Sequence, residues 1–366
     1  MILWSKVNQS SDNPLSLDFK FNLKTLIVIL LFAVGLYFLF PKLIGVPEAL
    51  KLILHVNKWY LVLALICELL SYVGAATLLG VILQALGYNV GLYKRFKISS
   101  IAAFAIHFFP VGSFGEGAVN YYFLRKEKVE AGSILLMLAL RIIFTYASFL
   151  LLFLYGLALV PTVPHLEVSP KIVSLVIFIL IAGLAIYLFY LYKHKDKFRK
   201  TWNKFLRFLD NFASRIRGKE ISQAKESEVF EDIYSGIGLF SKKKRSSLYA
   251  LLAGIMYWMG DIACFYFVFL SFGYHISWGV LIFGYGAASL LGMASFIPGG
   301  LGVVEGTMGL MYSGLGVPSS LALMSILVFR FFSFWIWIPF GLYSFISMGK
   351  EKKKSGNENL SNFQIK

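Results

Sequence analysis

The sequence predicts an all-α, polytopic transmembrane protein with an inverted repeat and two broken, re-entrant helix hairpins. Three observations predict this fold class. The 366-residue chain is 58% hydrophobic and only 15% charged, whereas soluble chains have about 25% charged residues. Apolar runs recur along it, and a hydrocarbon core of about 30 Å requires about 20 apolar residues per helix. Finally, one pattern of glycine, acid and arginine occurs in each half of the chain.

Hydropathy and charge divide the chain into five segments. A polar tail at 1–20 precedes the first half of the transmembrane repeat at 21–192. A basic cytoplasmic segment at 193–246 separates it from the second half at 247–348, and a Lys-rich cytoplasmic tail occupies 349–366. Apolar runs within the two halves are predicted at 24–40, 59–86, 98–113, 133–160, 172–192, 247–271, 279–297 and 319–347.

Positive charge predicts the orientation of these segments. The segment 193–246 holds fifteen Lys and Arg against seven acids, and basic loops stay on the cytoplasmic side. Both termini are therefore predicted to be cytoplasmic, in a cytoplasmic (inner) membrane. The first apolar run, Thr25–Phe40, lacks a small-residue cleavage site and is expected to remain as a signal anchor. Apolar residues at helical spacing from Trp202 predict an amphipathic helix, either on an anionic leaflet or on the protein's own cytoplasmic surface.

Two of the apolar runs, 98–113 and 279–297, are too short to cross a bilayer, and each ends at a proline, Pro110 or Pro298. We interpret them as halves of broken helices or re-entrant hairpins. Unpaired backbone at such a break is tolerated only where it is buried in protein or lines a wet cavity. Glycines surround both breaks: Gly112, Gly115, Gly299, Gly300 and Gly302.

The two breaks belong to an internal repeat. The interval from Glu116 to Arg141 is the same 25 residues as that from Glu305 to Arg330. Further upstream, a Gly-Tyr pair at Gly87 has a counterpart at 273–274. The charge rule makes the two hairpins enter from opposite sides, which is the inverted arrangement of many secondary transporters. This favours transport over a duplication that was kept only for folding.

Six ionisable residues lie within or beside the apolar runs: Glu68, Glu116, Arg141, Asp261, Glu305 and Arg330. Each costs about 2.5–3.5 kcal/mol at the centre of a membrane helix, so we expect each arginine to pair with the acid of its own half. Glu68 and Asp261 are expected to support this site as further intramembrane acids.

A restarted helix leaves free N–H groups and a positive dipole end, which together with arginine suit a phosphate. Two readings of the repeated glutamates stay open. In one, the glutamate holds the arginine and releases it when a phosphate arrives. In the other, it caps the broken helix and has a structural role.

Several other classes of function are not supported. The glycine string at Gly300 lacks both the remaining Rossmann glycine and a Walker lysine. His107 is a lone histidine on an apolar helix, expected to line the core or a cavity rather than bind metal. Cys67 and Cys264 lie in apolar runs and indicate neither a disulfide framework nor a metal site. No catalytic residue, metal or cofactor is predicted. The net charge of +16 lies beside apolar runs, so nucleic acid is not an expected partner.

The repeated segments resemble a known family. Pro110–Arg141 and Pro298–Arg330, notably FIPGGLGVVEG, are similar to the transmembrane domain of lysylphosphatidylglycerol synthase/flippase proteins, over roughly residues 20–347. The resemblance implies translocation of an anionic or aminoacylated phospholipid, or a lipid-linked intermediate, between leaflets. It gives Glu116, Arg141, Glu305 and Arg330 as matching polar positions.

Two alternatives stay open beside this flippase function. One is a membrane lipid transferase of the phosphatidylglycerol lysyltransferase type. The other is a non-catalytic membrane partner of a lipid or glycosyl transferase. Only some twenty polar residues come after the last apolar run, so the soluble aminoacyl-transfer domain is not expected and aminoacylation is disfavoured. Membrane lipids, chiefly anionic, are the expected partners, and a homo-oligomer is a further expectation left open.

Overall fold

The computed structural model describes residues 56–108, 113–160, 193–204 and 242–348 except 296, together with single helical positions between 183 and 240. These residues form helices joined by short turns. Several predicted features lie outside the described residues: the tail at 1–20, the run at 24–40, Pro110, Gly112, most of the run at 172–192, most of the amphipathic helix and the tail at 349–366.

The two halves have matching orders of helices. The first half contains α1 (Lys58–Ala85), α2 (Leu92–Phe108), α3 (Ser113–Lys126) and α4 (Ala131–Leu159). The second contains α5 (Lys244–Ser271), α6 (Trp278–Ala294), a 3-10 turn (Pro298–Gly300), α7 (Val303–Gly314) and α8 (Ser319–Met348). Among the described residues, four helices are long and apolar enough to cross a membrane, namely α1, α4, α5 and α8. The predicted all-α, multi-pass fold is confirmed.

The repeated Gly-Tyr pairs end the first helix of each half. Gly87 and Gly273 have φ of 92° and 75°, a region that glycine enters without steric cost. The next residue, Tyr88 or Tyr274, donates its N–H to the carbonyl of Leu83 or Phe269 at 2.9 or 3.2 Å. This bond closes the helix end in both halves. The sequence match therefore reflects one stop signal used twice.

These equivalent helices, α1 and α5, pack antiparallel along their whole length. The Asn57 N–H donates to the Ser271 carbonyl at 2.9 Å, and at the other end Lys243 Nζ donates to the Ala85 carbonyl at 2.6 Å. Close approach between them depends on Gly260, where a Cβ would lie 2.6 Å from the Ser71 nitrogen. An antiparallel pair of equivalent helices is the relation that an inverted repeat requires.

The short helices form two antiparallel hairpins that open at opposite ends of α1 and α5. The open end of the α2–α3 hairpin is closed by an ion pair between Lys94 Nζ and Glu127 at 2.8 Å. In the α6–α7 hairpin, the Tyr312 hydroxyl donates to the Leu281 carbonyl at 2.9 Å. Tyr312 also contacts Phe269 near the end of α5, with ring centroids 5.6 Å apart. Both hairpin tips therefore lie toward the middle of the helices.

The two halves also interlock. The first helix of each hairpin packs against the last helix of the other half. Thus α6 contacts α4, where a Cβ on Gly156 would overlap Ile282. Likewise α2 contacts α8, where Lys97 Nζ donates to Ser347 Oγ at 2.9 Å and a Cβ on Gly341 would lie 2.5 Å from the Ser100 carbonyl oxygen. Neither half can be complete as a separate unit.

One end of the bundle is strongly basic. It is formed by the end of α1, the start of α2, the end of α3 and the start of α5, and its cations are Lys94, Arg95, Arg125, Lys126, Lys128, Lys242, Lys243, Lys244 and Arg245. The basic stretches that were predicted to lie just outside the helices lie partly inside them, because α2 already begins at Leu92 and α5 at Lys244. Lys97 is only 4% exposed. The sequence did not predict this burial, because Lys97 lies in a basic stretch that looked solvent-exposed. That this end faces the cytoplasm stays a prediction from the charge rule.

Candidate functional site

The ion pair of the second half lies at the tip of the α6–α7 hairpin. Glu305 is in the first turn of α7, and Arg330 lies midway along α8. Arg330 Nε donates to Glu305 Oε1 at 2.6 Å, and both side chains are about 10% exposed. Arg330 Nη2 also donates to the Gly299 carbonyl at 2.7 Å. The arginine therefore connects the acid to a carbonyl of the 3-10 turn between α6 and α7.

Glycine conformations create this tip. Gly299 and Gly302 have φ of 57° and 81°, values that other residues adopt only at a cost of about 1–2 kcal/mol. The Gly302 N–H donates to Glu305 Oε2 at 2.6 Å, so this acid caps α7 while its other oxygen accepts from Arg330. One side chain therefore makes both the cap and the arginine contact, while release of the arginine to a phosphate stays a prediction.

An aromatic ring covers one face of the Arg330 guanidinium, and a second ring stacks on the first. Its guanidinium carbon lies 5.0 Å from the centroid of the Phe334 ring, which stacks on His107 of α2 at 4.3 Å. Phe334 belongs to a π-helical turn, Phe331–Trp335, that begins directly after Arg330. Such turns within α-helices are frequent at functional sites. His107 thus has a packing role in this stack, as the sequence predicted.

The ion pair of the first half is more open. Arg141 Nη2 lies 2.7 Å from Glu116 Oε1, and their side chains are 13% and 25% exposed. Asn120 is buried and links them: its Nδ2 donates to the Glu116 carbonyl at 2.8 Å, while its Oδ1 accepts from Arg141 Nη1 at 3.5 Å. Gly115 lies beside Glu116 in α3. The structure therefore brings each predicted acid to its predicted arginine.

A third polar cluster lies between the two ion pairs. Glu68 of α1 and Asp261 of α5 meet where these helices cross, and their carboxyl groups lie within hydrogen-bonding reach of each other. Trp337 Nε1 donates to Glu68 Oε1 at 3.2 Å. The Tyr285 hydroxyl donates to Asp261 Oδ2. Glu68 is 2% exposed.

Sequence reasoning identified these two acids but not their contact. The available signal was weak: each acid lies in the first described helix of its half. It also missed the Gly299 carbonyl, Asn120 and the two aromatic donors. Within the described ranges, no three His, Cys, Asp or Glu side chains converge as metal ligands would.

The chemistry available at the ion pairs is recognition of an anion. A guanidinium has five N–H donors, and the two described bonds of Arg330 use two of them. Charge-assisted bonds from arginine to phosphate are about twice as strong as neutral ones. Beside it, the N-terminus of α7 adds a positive dipole end. A phosphate could therefore replace Glu305 as a partner of Arg330 without leaving the arginine unpaired.

Comparison with known proteins gives one family and several relatives. Residues 25–341 match the family described as the Lysylphosphatidylglycerol synthase TM region. A UPF0104 membrane protein of Methanocaldococcus jannaschii is 24% identical over 318 residues, which cover 86% of this chain and 92% of the relative. A UPF0104 membrane protein of Pyrococcus horikoshii is 25% identical over 312 residues, covering 80% and 88%.

An enzyme is also similar over a shorter stretch. A phosphatidylglycerol lysyltransferase of Staphylococcus aureus is 31% identical over 124 residues, which cover 33% of this chain but only 15% of the enzyme. The similarity therefore concerns a small part of that enzyme.

Proposed function

We propose a lipid-moving function for this chain, which belongs to the Lysylphosphatidylglycerol synthase TM region family. In this proposal it is a flippase that moves an anionic or aminoacylated phospholipid, or a lipid-linked intermediate, between the leaflets of the cytoplasmic membrane. The observation that carries the proposal is the two largely buried ion pairs, the second more enclosed than the first, each at a hairpin and each hairpin open to a different end of the bundle. Sites near the middle of broken helices, in repeats of opposite orientation, are typical of transporters.

Energetics favour a functional origin for these charges. A buried ion pair is often no more stabilising than apolar residues of similar volume, so stability alone does not require two of them. Under the proposal, the phosphate of the lipid headgroup binds Arg141 or Arg330 in place of the glutamate. Its acyl chains stay in the hydrocarbon, against the apolar side chains that the long helices expose.

The test is leaflet exchange in vesicles that contain the full chain and a fluorescent phosphatidylglycerol. The variant is Glu305→Gln with Arg330→Met, which removes both charges together and leaves no unpaired buried charge, so the fold should survive. We expect exchange to slow about tenfold or more, since one charge-assisted bond contributes about 1.5–3 kcal/mol. The matched control neutralises the exposed ion pair, Lys94→Met with Glu127→Gln, and should leave exchange unchanged. Equal rates in the wild type and the buried-pair variant would refute the proposal.

A transferase is the second candidate, favoured by the similarity to the lysyltransferase over 124 residues. Lipid mass spectrometry of a deletion strain separates the two functions. A missing lipid species would indicate an enzyme, whereas unchanged species with altered exposure at the outer leaflet would indicate a flippase. A non-catalytic partner of a lipid or glycosyl transferase would instead co-purify with that enzyme in mild detergent.

A further inference from the structure

The carboxyl groups of Glu68 and Asp261 form a cluster that the ion pairs do not use. They come from equivalent helices of the two halves, at the crossing of α1 and α5. Glycines hold this crossing tight: a Cβ on Gly74 would lie 2.6 Å from the Tyr257 nitrogen, and one on Gly260 would lie 2.7 Å from the Ser71 Cα. The two acids therefore have little room to separate.

One buried carboxyl oxygen of the pair has no described donor, although the Cys264 thiol also lies against Glu68. Glu68 Oε1 accepts from Trp337 and Asp261 Oδ2 accepts from Tyr285. Among the described residues, no N–H or O–H group donates to Glu68 Oε2, although this oxygen is buried. A carboxylate oxygen only accepts, whereas a protonated one donates. A proton on Glu68 Oε2 would supply the missing bond toward Asp261.

Electrostatics point the same way. Two adjacent carboxylates in a low-dielectric site cannot both carry a charge without a large cost. The titratable or charged groups around the pair are Cys67 and Tyr72 on α1, Tyr257 and Cys264 on α5, Tyr285 on α6 and Arg330 on α8. Of these side chains, Arg330 carries a fixed positive charge, and it interacts with Asp261.

We propose that Glu68 and Asp261 form a proton-binding site that holds one shared proton and takes up a second when an anion occupies Arg330. In the empty protein, Arg330 pairs with Glu305 and also attracts the remaining negative charge of the acid pair. An anion bound at Arg330 adds a negative charge beside the acid pair, so a proton from solvent neutralises the pair. The second step rests on the proposed function, whereas the shared proton does not.

Coupling of this kind is reciprocal, so acidification must also tighten anion binding. The change in affinity between the limits of low and high pH is expected to be about 5- to 150-fold. In transport terms, movement of an anionic lipid would be accompanied by a proton.

Infrared spectroscopy of the ligand-free chain tests the shared proton. In phosphatidylcholine vesicles near pH 7, we expect the C=O band of a protonated carboxyl, lost in the Glu68→Gln and Asp261→Asn variants. Both amides preserve an acceptor for Trp337 or Tyr285, so the fold should persist. Glu127→Gln, an acid at the open end of the α2–α3 hairpin that pairs with Lys94, is the matched control and should retain the band. Absence of the band in the wild type, or its persistence in both variants, would overturn the site.

Proton uptake on ligand binding tests the coupling. Water-soluble, short-chain phosphatidylglycerol is added to the detergent-solubilised chain in weak buffer with a pH-indicator dye. We expect about one proton to be taken up per lipid bound, and none when Glu68→Gln and Asp261→Asn are combined. Binding without uptake would overturn the coupling and leave the proposed function standing. No binding at any pH would overturn both the coupling and the lipid class, while the infrared band still decides the proton site.

Discussion

Arg330 and Arg141 occupy equivalent places in the two halves, but their surroundings differ. Arg330 contacts an acid, a backbone carbonyl and an aromatic ring, and its side chain is 10% exposed. Arg141 contacts an acid and an asparagine, and its side chain is 13% exposed. The larger contrast is between the acids, since Glu116 is 25% exposed and Glu305 is 10% exposed. In the second half the acid also caps a helix. The two copies of one motif thus form one enclosed and one more open ion pair, so we expect the enclosed copy to contribute more to stability.

The strongest test of this comparison removes each arginine. Arg330→Ala leaves Glu305 and the Gly299 carbonyl without their donor, and breaking a buried pair costs about 3–5 kcal/mol. Arg141→Ala leaves an acid that water reaches more readily, so we expect about 1–3 kcal/mol. The free energy of unfolding in detergent, followed by tryptophan fluorescence, measures both. Lys94→Ala is the exposed control and should cost at most about 1 kcal/mol. Equal losses at the two arginines would show that enclosure does not distinguish the half-sites.

A smaller effect is expected at the glycines. A Cβ on Gly299 would overlap the Phe334 ring as well as adopt positive φ, so Gly299→Ala should cost about 2–4 kcal/mol. Gly302 has positive φ in open space, so its alanine variant should cost only about 1–2 kcal/mol. In the first half, Gly117 lies within α3 with Leu138 at 3.9 Å, and alanine there should be tolerated. Thermal unfolding of the three variants ranks them, and a reversed order would contradict the described tip.

The smallest effect concerns the asparagine of the open site. Asn120→Ala should lose about 1 kcal/mol, since one buried hydrogen bond disappears while the Glu116–Arg141 contact persists. The equivalent position in the second half is Gly309, which has open space beside it. Gly309→Ala should instead stabilise α7 by up to about 1 kcal/mol. Both shifts are read as changes in melting temperature. A neutral Asn120→Ala would mean that this link does not support the open site.

Much of this arrangement could be predicted from the sequence, because it depends on local signals. Apolar runs identified the long helices, and the equal 25-residue intervals identified the acid for each arginine. The Gly-Tyr pairs at 87–88 and 273–274 were recognised as repeats and are helix ends. The ligand of the ion pairs stays a prediction, as does the orientation of the basic end.

The remaining features depend on long-range geometry that no local pattern encodes. Glu68 and Asp261 are 193 residues apart, and their contact results from where α1 crosses α5. The Gly299 carbonyl points to Arg330 because of a backbone turn with φ of 57°. Lys97 looked like one of several membrane-flanking lysines, but packing of α2 against α8 buries it.

The π-helical turn Phe331–Trp335 sets the rotational phase of α8. Residues seven apart in a uniform helix lie within about 20° of the same face, whereas one inserted residue rotates the rest of the helix by about 100°. The turn thus directs Arg330 toward Glu305 while Trp337 reaches Glu68. The length of this turn, more than the identity of its residues, therefore keeps the Arg330–Glu305 ion pair and the Glu68–Asp261 acid pair in register. Deletion of a single residue from this turn would misalign the two sites, even though no polar residue of either site would be removed.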